Sequence, residues 1–193
     1  MAWIKKPTWR LAIVYALLVI LILHARRPNA LSAALGLTPI VLGQAIRIWA
    51  CGHLVKNKRL TTSGPYAHVK NPLYLGTILI TAGFCVFTRL WWMLLVVAVG
   101  FFLYYLPRKK KIEGDRLRQI YGEAWDRYDK AVPDLLPSLK PYRSGDNTKF
   151  DGRLVLDNSE HGTLMSVLLG VALIFLSVWL RSKGIGFPWA PLD

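Results

Sequence analysis

Long apolar runs separated by short polar segments make up most of the chain. Five runs come near the ~20 residues that a helix needs to cross the hydrocarbon core of a bilayer. They are Trp9–Leu23, Ala30–Cys51, Leu73–Phe87, Leu90–Leu106 and Thr163–Leu180. Thr88 and Arg89 alone separate the third and fourth runs, which predicts a tight antiparallel helical hairpin. The pattern predicts an all-α, polytopic integral membrane protein with about five transmembrane helices.

A different periodicity follows the fourth run. Between Arg108 and Ala131 the apolar residues recur every three or four positions, which is the spacing of one helix face. These positions are Leu117, Ile120, Tyr121, Ala124, Trp125 and Tyr128. Glu113 lies on the same stripe, where a carboxylate is costly unless another group meets it. The segment therefore predicts one cytoplasmic amphipathic helix that turns Glu113 inward.

The polar segment Thr62–Gly76 has strong local structure signals. Gly64 and Pro65 are typical turn residues. Asn71 followed by Pro72 predicts a helix start, with Asn71 as the N-cap and Pro72 at the first helical position. An apolar run follows at once, so a membrane-spanning helix has its N-terminus at this loop. Its unpaired N–H groups and positive dipole end favour an anionic group there.

Composition and charge agree with a membrane protein. The 193 residues are 53% hydrophobic, and 25 Lys and Arg against 11 Asp and Glu give a formal net charge of +14. The basic residues are spread over segments that flank the spans, which disfavours a nucleic-acid partner. Most of them fall on one side of the predicted topology. The charge bias therefore predicts that the N-terminus and both polar segments are cytoplasmic, and that the C-terminus lies on the opposite side.

Several kinds of chemistry have no motif in this sequence. There is no Gly-rich dinucleotide fingerprint after a predicted strand, no P-loop and no motif of a covalent nucleophile. The four histidines are scattered without metal-ligand spacing, so no metal site is predicted. Cys51 and Cys85 lie inside apolar runs and are expected to be buried and unpaired. Arg47 lies within the second span, where it either snorkels to the headgroups or lines a polar cavity.

An ordered set of motifs resembles one family of membrane enzymes. The set is Gly64-Pro65-Tyr66, Lys70-Asn71-Pro72-Leu73-Tyr74-Leu75-Gly76, Glu113, Leu117, Tyr121-Gly122, Tyr128 and Val132-Pro133. Together they resemble the isoprenylcysteine carboxyl methyltransferase and phospholipid methyltransferase superfamily. The resemblance covers residues 47–137 of what we expect to be a single membrane domain, 1–193. Residues 138–162 are expected to form a polar loop and 163–180 an extra C-terminal span.

The resemblance implies methyl transfer from S-adenosylmethionine to a lipidic or prenylated acceptor at the cytoplasmic face. Glu113 and Lys70 are then the candidate catalytic residues. The implied cofactor-binding residues are Tyr66, Lys70, Asn71, Pro72, Leu73, Tyr74, Gly76 and Glu113. The helix that begins at Pro72 would receive the cofactor's carboxylate, and the rings of Tyr66 and Tyr74 would face its sulfonium. Glu113 would hold amino or hydroxyl groups, pair with Lys70, or deprotonate an amine acceptor.

Three positions depart from the family pattern. Lys70 stands in place of Arg, Asn71 in place of His, and Gly114 in place of a second Glu. Lys70 keeps the charge but has no planar two-pronged guanidinium with which to grip a carboxylate. Two other functions remain open at this stage. One is an NADPH-dependent membrane reductase of the sterol reductase type, and the other is a non-catalytic lipid-binding membrane protein.

Overall fold

The computed structural model describes residues 19–20, 24–56, 59–143, 146 and 148–185. The regular elements in these parts of the chain are helical. They are α1 (Ala30–His53), a 3₁₀ turn (Gly64–Ala67), α2 (Pro72–Phe87), α3 (Trp91–Val99), a π-helical segment (Gly100–Tyr105), α4 (Leu106–Tyr121), α5 (Glu123–Ala131), α6 (Gly152–Asp157) and α7 (Glu160–Ser182). The all-α prediction is confirmed for the described residues.

Three of the described helices are long and apolar enough to cross a membrane. They are α1, the continuous helix Trp91–Tyr121, and α7. The third predicted span is the shorter helix α2, whose 16 residues reach about 24 Å, less than a full hydrocarbon core. The first predicted span, Trp9–Leu23, lies outside the described residues except at positions 19–20. The predicted total of five spans is therefore not confirmed.

Helices α1 and α2 pack with their backbones in contact. A Cβ atom added at Gly43 would lie 2.5 Å from the carbonyl oxygen of Gly76, and one added at Gly76 would lie 2.6 Å from that of Gly43. Glycine is therefore required at both positions for this helix separation. In lipid, close packing of this kind drives helix association, because the surrounding tails are as apolar as the side chains.

The helix Trp91–Tyr121 is continuous from the membrane into the polar region. Pro107 has no N–H and crowds the preceding turn, and the backbone there widens to π-type bonding. The N–H of Leu106, for example, donates to the carbonyl of Phe101, five residues back. The predicted single amphipathic helix over Arg108–Ala131 is wrong in one respect. It divides into α4 and α5 at Gly122, which has φ +53°.

Two groups of buried apolar residues hold these elements together. One joins α2, α3 and α7 around Phe87, Met93 and Ile174. The other packs α5 against the polar segments through Trp125 and Tyr128. Cys51 and Cys85 are free and buried, as predicted. The second group keeps α5 beside the loop that precedes α2, where the candidate site lies.

Candidate functional site

The loop before α2 is tightly folded. Gly64 has φ +58°, a left-handed conformation that suits glycine, and it opens the 3₁₀ turn that contains Tyr66. Tyr66 is 8% exposed, and the hydroxyl of Tyr128 donates to its carbonyl oxygen at 2.7 Å. Burial, followed by the nearby Cys51, Tyr128 and Glu113, raises the pKa of Tyr66 above its usual range. Tyr66 is therefore a neutral phenol at physiological pH.

The segment that follows α5 braces the same loop. The backbone N–H of Lys70 donates to Pro133, and the N–H of Ser138 donates to His68. The ring nitrogen Nδ1 of His68 lies 2.7 Å from the carbonyl oxygen of Ser138. The N–H of Tyr142 donates to Ala67. The loop is thus paired along its length before it enters α2.

Tyr74 and Glu113, both predicted site residues, contact each other in the structure. The hydroxyl of Tyr74, in the first turn of α2, donates to Oε2 of Glu113 on α4 at 2.7 Å. Both residues are half-buried. The ring of Tyr105 packs edge-on against that of Tyr74, with centroids 6.1 Å apart. The start of α2 and the helix that carries Glu113 therefore lie together and form a contact lined by a carboxylate and aromatic rings.

Lys70 pairs with two aspartates and not with Glu113. Its Nζ lies 2.5 Å from Oδ1 of Asp129 and 2.7 Å from Oδ1 of Asp134, and its side chain is 6% exposed. Lys110 pairs with the other oxygen of Asp134 at 2.6 Å. Burial acts to raise the pKa of Asp134, but the hydrogen bonds from Lys110 and Lys70 outweigh it and lower that pKa. This network fastens α4, α5 and the loop to one another.

Asn71 occupies the N-cap position of α2, but its side chain makes no capping bond, which corrects the prediction. The backbone oxygen of Asn71 instead accepts from the N–H groups of Tyr74 and Leu75. The side-chain Nδ2 and the backbone N–H of Asn71 both donate to the carbonyl of Asp134, each at 3.3 Å. Pro72 is the first helical residue, as predicted.

Leu73 and Gly76 face α1. The carbonyl of Leu73 accepts from Nη1 of Arg47 at 3.2 Å. A Cβ atom at Gly76 would lie 2.5 Å from Cγ of Arg47. Gly76 therefore gives space to the neighbouring helix at this point.

Arg47 lies at the centre of a buried polar cluster. Its Nε and Nη2 donate to the two carboxylate oxygens of Glu160 at 2.8 and 2.7 Å. Nη2 also donates to Thr163, and Nη1 donates to Leu73 and to Thr77. Of the two alternatives for Arg47, the structure favours the polar surroundings over the headgroups, since its side chain is 16% exposed and ends on a carboxylate of α7.

Glu160 is the residue of this cluster that the sequence reasoning missed. It is 2% exposed and also accepts from Nε2 of Gln44 at 2.9 Å. Glu160 stands in a polar stretch that we expected to be a loop, so its place at the first residue of α7 was not predicted. A signal was nonetheless present, because an arginine inside an apolar run requires a counter-charge. Glu160 is the acidic residue that immediately precedes the last apolar run.

The expected polar loop 138–162 is partly helical and is held against the end of α1. It contains α6, and the N–H of Asp151 donates to the carbonyl of Gly52 at 2.9 Å. The side-chain amide of Asn158 donates to the carbonyls of Cys51 and Leu54 at 3.0 and 2.9 Å. These contacts satisfy carbonyl groups at the C-terminus of α1 and fix the start of α7.

A separate depression of about 260 Å³ lies among the polar segments. Its lining residues are Leu60, Thr62, Ala124, Arg127, Tyr142 and Asp146. None of them belongs to the predicted site. In the described parts of the chain, no group of three His, Cys, Asp or Glu side chains is placed to hold a metal ion.

Comparison with known proteins gives a family match over part of the chain. Residues 40–124 match the family model of phospholipid methyltransferases. This segment contains α2, the loop before it, and Glu113, and it overlaps most of the region in which the motifs were recognised. Over this segment the chain is similar to the phospholipid methyltransferase family, and the recognition made from the motifs is confirmed there.

Two curated relatives extend over a longer part of the chain. The cobalt-zinc-cadmium resistance protein CzcN of Cupriavidus metallidurans is 30% identical over 146 residues, which cover 72% of this chain and 66% of the relative. The nickel-cobalt-cadmium resistance protein NccN of Alcaligenes xylosoxydans xylosoxydans is 26% identical over 142 residues, which cover 70% and 66%. The match thus spans slightly less than two thirds of each relative's length. No solved structure matches the chain significantly.

Proposed function

We propose that this protein is an integral membrane methyltransferase that moves a methyl group from S-adenosylmethionine to a lipidic acceptor at the cytoplasmic face. The observation that carries the proposal is the contact between Tyr74 and Glu113, made by segments that both fall inside the family match. The family match supports the reaction class. The candidate membrane-spanning helices and the family's description support an acceptor that is itself a lipid.

The residues at this contact suit a cationic methyl donor. Glu113 offers a carboxylate that accepts hydrogen bonds from amino or hydroxyl groups. The ring of Tyr74 offers an electron-rich face, which attracts a sulfonium. The same role for Tyr66, whose side chain is buried, remains a prediction. The charge of Lys70 is matched by Asp129 and Asp134, so it does not oppose a positive ligand nearby.

When bound, S-adenosylmethionine supplies an electrophilic methyl group, and a lipid nucleophile that bonds to this carbon displaces S-adenosylhomocysteine. The chain's own part is to align the reactants and exclude water, since such a displacement needs little acid–base help. Glu113 takes up a proton where the acceptor is an amine that must lose one. Tyr74 holds the Glu113 carboxylate toward the start of α2 through its hydroxyl.

The direct cofactor contacts predicted for Lys70, Asn71, Pro72, Leu73 and Gly76 remain predictions. The contacts of these residues in the structure give them a positioning task in the proposal. Lys70 and Asn71 fix the loop to the segment around Asp134. Leu73 and Gly76 fix the first turn of α2 to α1.

A methyl-transfer assay with total membrane lipid extract tests the proposal. Purified protein in lipid nanodiscs is incubated with methyl-labelled S-adenosylmethionine, and label in the extracted lipids is followed with time. We expect labelled lipid with the wild type and none with Glu113→Ala. Thermal stability titrations with S-adenosylmethionine and with NADPH accompany the assay, because a ligand that binds the folded state raises its stability. Stabilisation by NADPH and not by S-adenosylmethionine would favour a reductase. If no lipid is labelled and neither ligand stabilises the protein, the result would favour a lipid-binding protein.

We extend the proposal to a role in metal tolerance, because both curated relatives are named for resistance to cobalt and cadmium. Methylation of an amine headgroup removes N–H donors, and so changes the hydrogen bonding of the surface that metal ions meet. Expression in a metal-sensitive bacterial host is expected to raise growth in cobalt or cadmium for the wild type and not for Glu113→Ala. Equal growth of the two strains would contradict the role in metal tolerance. The enzyme assignment would then depend on the lipid assay alone.

A further inference from the structure

We infer that Glu160, which lies outside the family-matched segment, is a positioning residue of the candidate site. The inference rests on the proposed function. The supporting observation is that every N–H donor of Arg47 has an acceptor. Arginine has five N–H donors. In this structure they reach five acceptors on two other helices: both carboxylate oxygens of Glu160, the hydroxyls of Thr163 and Thr77, and the carbonyl of Leu73. Arg47 thus connects α7 to the first turn of α2.

The first turn of α2 is also where the site begins. Leu73, whose carbonyl receives Arg47, immediately precedes Tyr74, whose hydroxyl meets Glu113. Glu160 sets the orientation of Arg47, because the two form a pair of parallel, charge-assisted hydrogen bonds with fixed geometry. An unbroken series of contacts therefore runs from Glu160 through Arg47 and the turn at Leu73 to Tyr74 and Glu113.

Several contacts fix the position of Glu160. The carboxylate is 2% exposed and also accepts from Gln44. Asn158, two residues earlier, is tied to the end of α1 by two hydrogen bonds. A buried ion pair is weak evidence of stability by itself, because apolar residues of similar size stabilise as well. Apolar residues, however, have no N–H group that can donate to the carbonyl of Leu73, as Nη1 of Arg47 does.

That difference provides the test. The full-length protein in nanodiscs is compared as wild type, Glu160→Gln, and the double variant Arg47→Met with Glu160→Leu. Glu123→Gln, which makes the same change at an exposed carboxylate on α5, is the matched control. Three quantities are measured for each: the melting temperature, the hydrogen exchange of the amides in 73–77, and kcat/KM for methyl transfer with S-adenosylmethionine.

We expect Glu160→Gln to speed exchange of the first-turn amides about tenfold. It is also expected to lower kcat/KM by about 10-fold to 100-fold, because a small displacement of the site residues caused by a distant substitution has effects of this size. The double variant is expected to melt at a temperature close to that of the wild type. The amides in the first turn of its α2 are nevertheless expected to exchange fast, and its kcat/KM is expected to be low. Glu123→Gln is expected to match the wild type in all three measurements.

Two results would overturn the inference. One is that the amides of 73–77 are as protected in Glu160→Gln as in the wild type. The other is a double variant that regains protection and activity together with its melting temperature, since the pair would then be structural only. If the wild type itself transfers no methyl group, the proposed function fails, and the exchange data still decide whether Glu160 orders this turn.

Discussion

Two carboxylates are linked to the start of α2, Glu113 directly through Tyr74 and Glu160 through Arg47, and their surroundings differ. Glu160 is buried, holds Arg47 through two oxygens and also accepts from Gln44. Glu113 is half-buried, and its hydrogen bond with Tyr74 joins α4 to α2. A buried charge is tolerated when every partner is in place, whereas a partly exposed one is able to exchange its partner for a ligand. We therefore propose that Glu160 fixes the turn at Leu73 through Arg47, whereas Glu113 contacts the ligand.

The largest effect on stability is expected at the buried carboxylate. Arg47→Ala leaves Glu160 without its counter-charge, and we expect a loss of about 3–5 kcal/mol in the free energy of unfolding. Denaturation of the protein in mixed micelles measures it. Arg127→Ala is the control, because Arg127 pairs with Glu123 at an exposed surface and is expected to contribute about 1 kcal/mol or less. Equal losses in the two variants would remove the distinction between the regions.

The largest effect on activity is expected at the other carboxylate. Glu113→Ala is expected to lower methyl transfer about 100-fold or more, because it removes the carboxylate proposed to meet the donor. Stability is expected to change little, since Glu113 is half-buried. The lipid-labelling assay and a melting curve measure both, with Glu123→Ala as the control. Normal turnover in Glu113→Ala would refute the assigned role.

The contact between α1 and α2 lies between the two regions and is expected to give an intermediate effect. Gly76→Ala places a Cβ atom 2.6 Å from the carbonyl of Gly43, so the helices must separate. We expect a loss of about 1–3 kcal/mol. Gly162→Ala, in α7, is the matched control because its new Cβ meets nothing within 4 Å. A Gly76→Ala variant as stable as this control would show that the helices are not held this closely.

A smaller effect is expected from the Tyr74 hydroxyl. Tyr74→Phe keeps the ring and removes the donor to Glu113. A hydrogen bond to a charged group contributes about 1.5 kcal/mol, which corresponds to about a tenfold decrease in kcat/KM. Steady-state kinetics measure this decrease. Tyr104→Phe, at an exposed ring that instead meets Arg108, is the control and is expected to be neutral. Equal kinetics in Tyr74→Phe and the wild type would show that the hydroxyl does not position Glu113.

The smallest effect is expected outside both regions, at Asp146. Burial acts to raise its pKa, but hydrogen bonds from Thr148 and Thr62 outweigh it and lower the pKa from 3.8 to about 2. A carboxyl with a lowered folded-state pKa stabilises the protein above its unfolded pKa, and this contribution is lost as pH falls through the folded value. We expect Asp146→Asn to reduce the loss of stability between about pH 4 and pH 2. Unfolding midpoints across that range measure it, and an unchanged slope would contradict the assignment.

The sequence predicted the helices better than it predicted their partners. Apolar runs located α1, α2 and α7 because lipid demands uninterrupted hydrophobic helices. The break at Gly122 was missed because the apolar stripe continues across it, from Tyr121 to Ala124. Local spacing contains no information on which distant charges meet, so neither Glu160 on Arg47 nor Asp129 on Lys70 was predicted. The resemblance assigned Tyr74 and Glu113 to one site, but the hydrogen bond between them was not predicted.

The central claim is that the start of α2 and the helix that carries Glu113 together hold the methyl donor. Ultraviolet cross-linking of labelled S-adenosylmethionine to the full-length protein in nanodiscs, followed by peptide mapping, tests the claim most directly. The account predicts label in peptides that contain Tyr66 to Gly76 and Tyr105 to Tyr121, and its loss with excess unlabelled ligand. Competable label confined to other peptides, such as those lining the depression at Asp146, would contradict it.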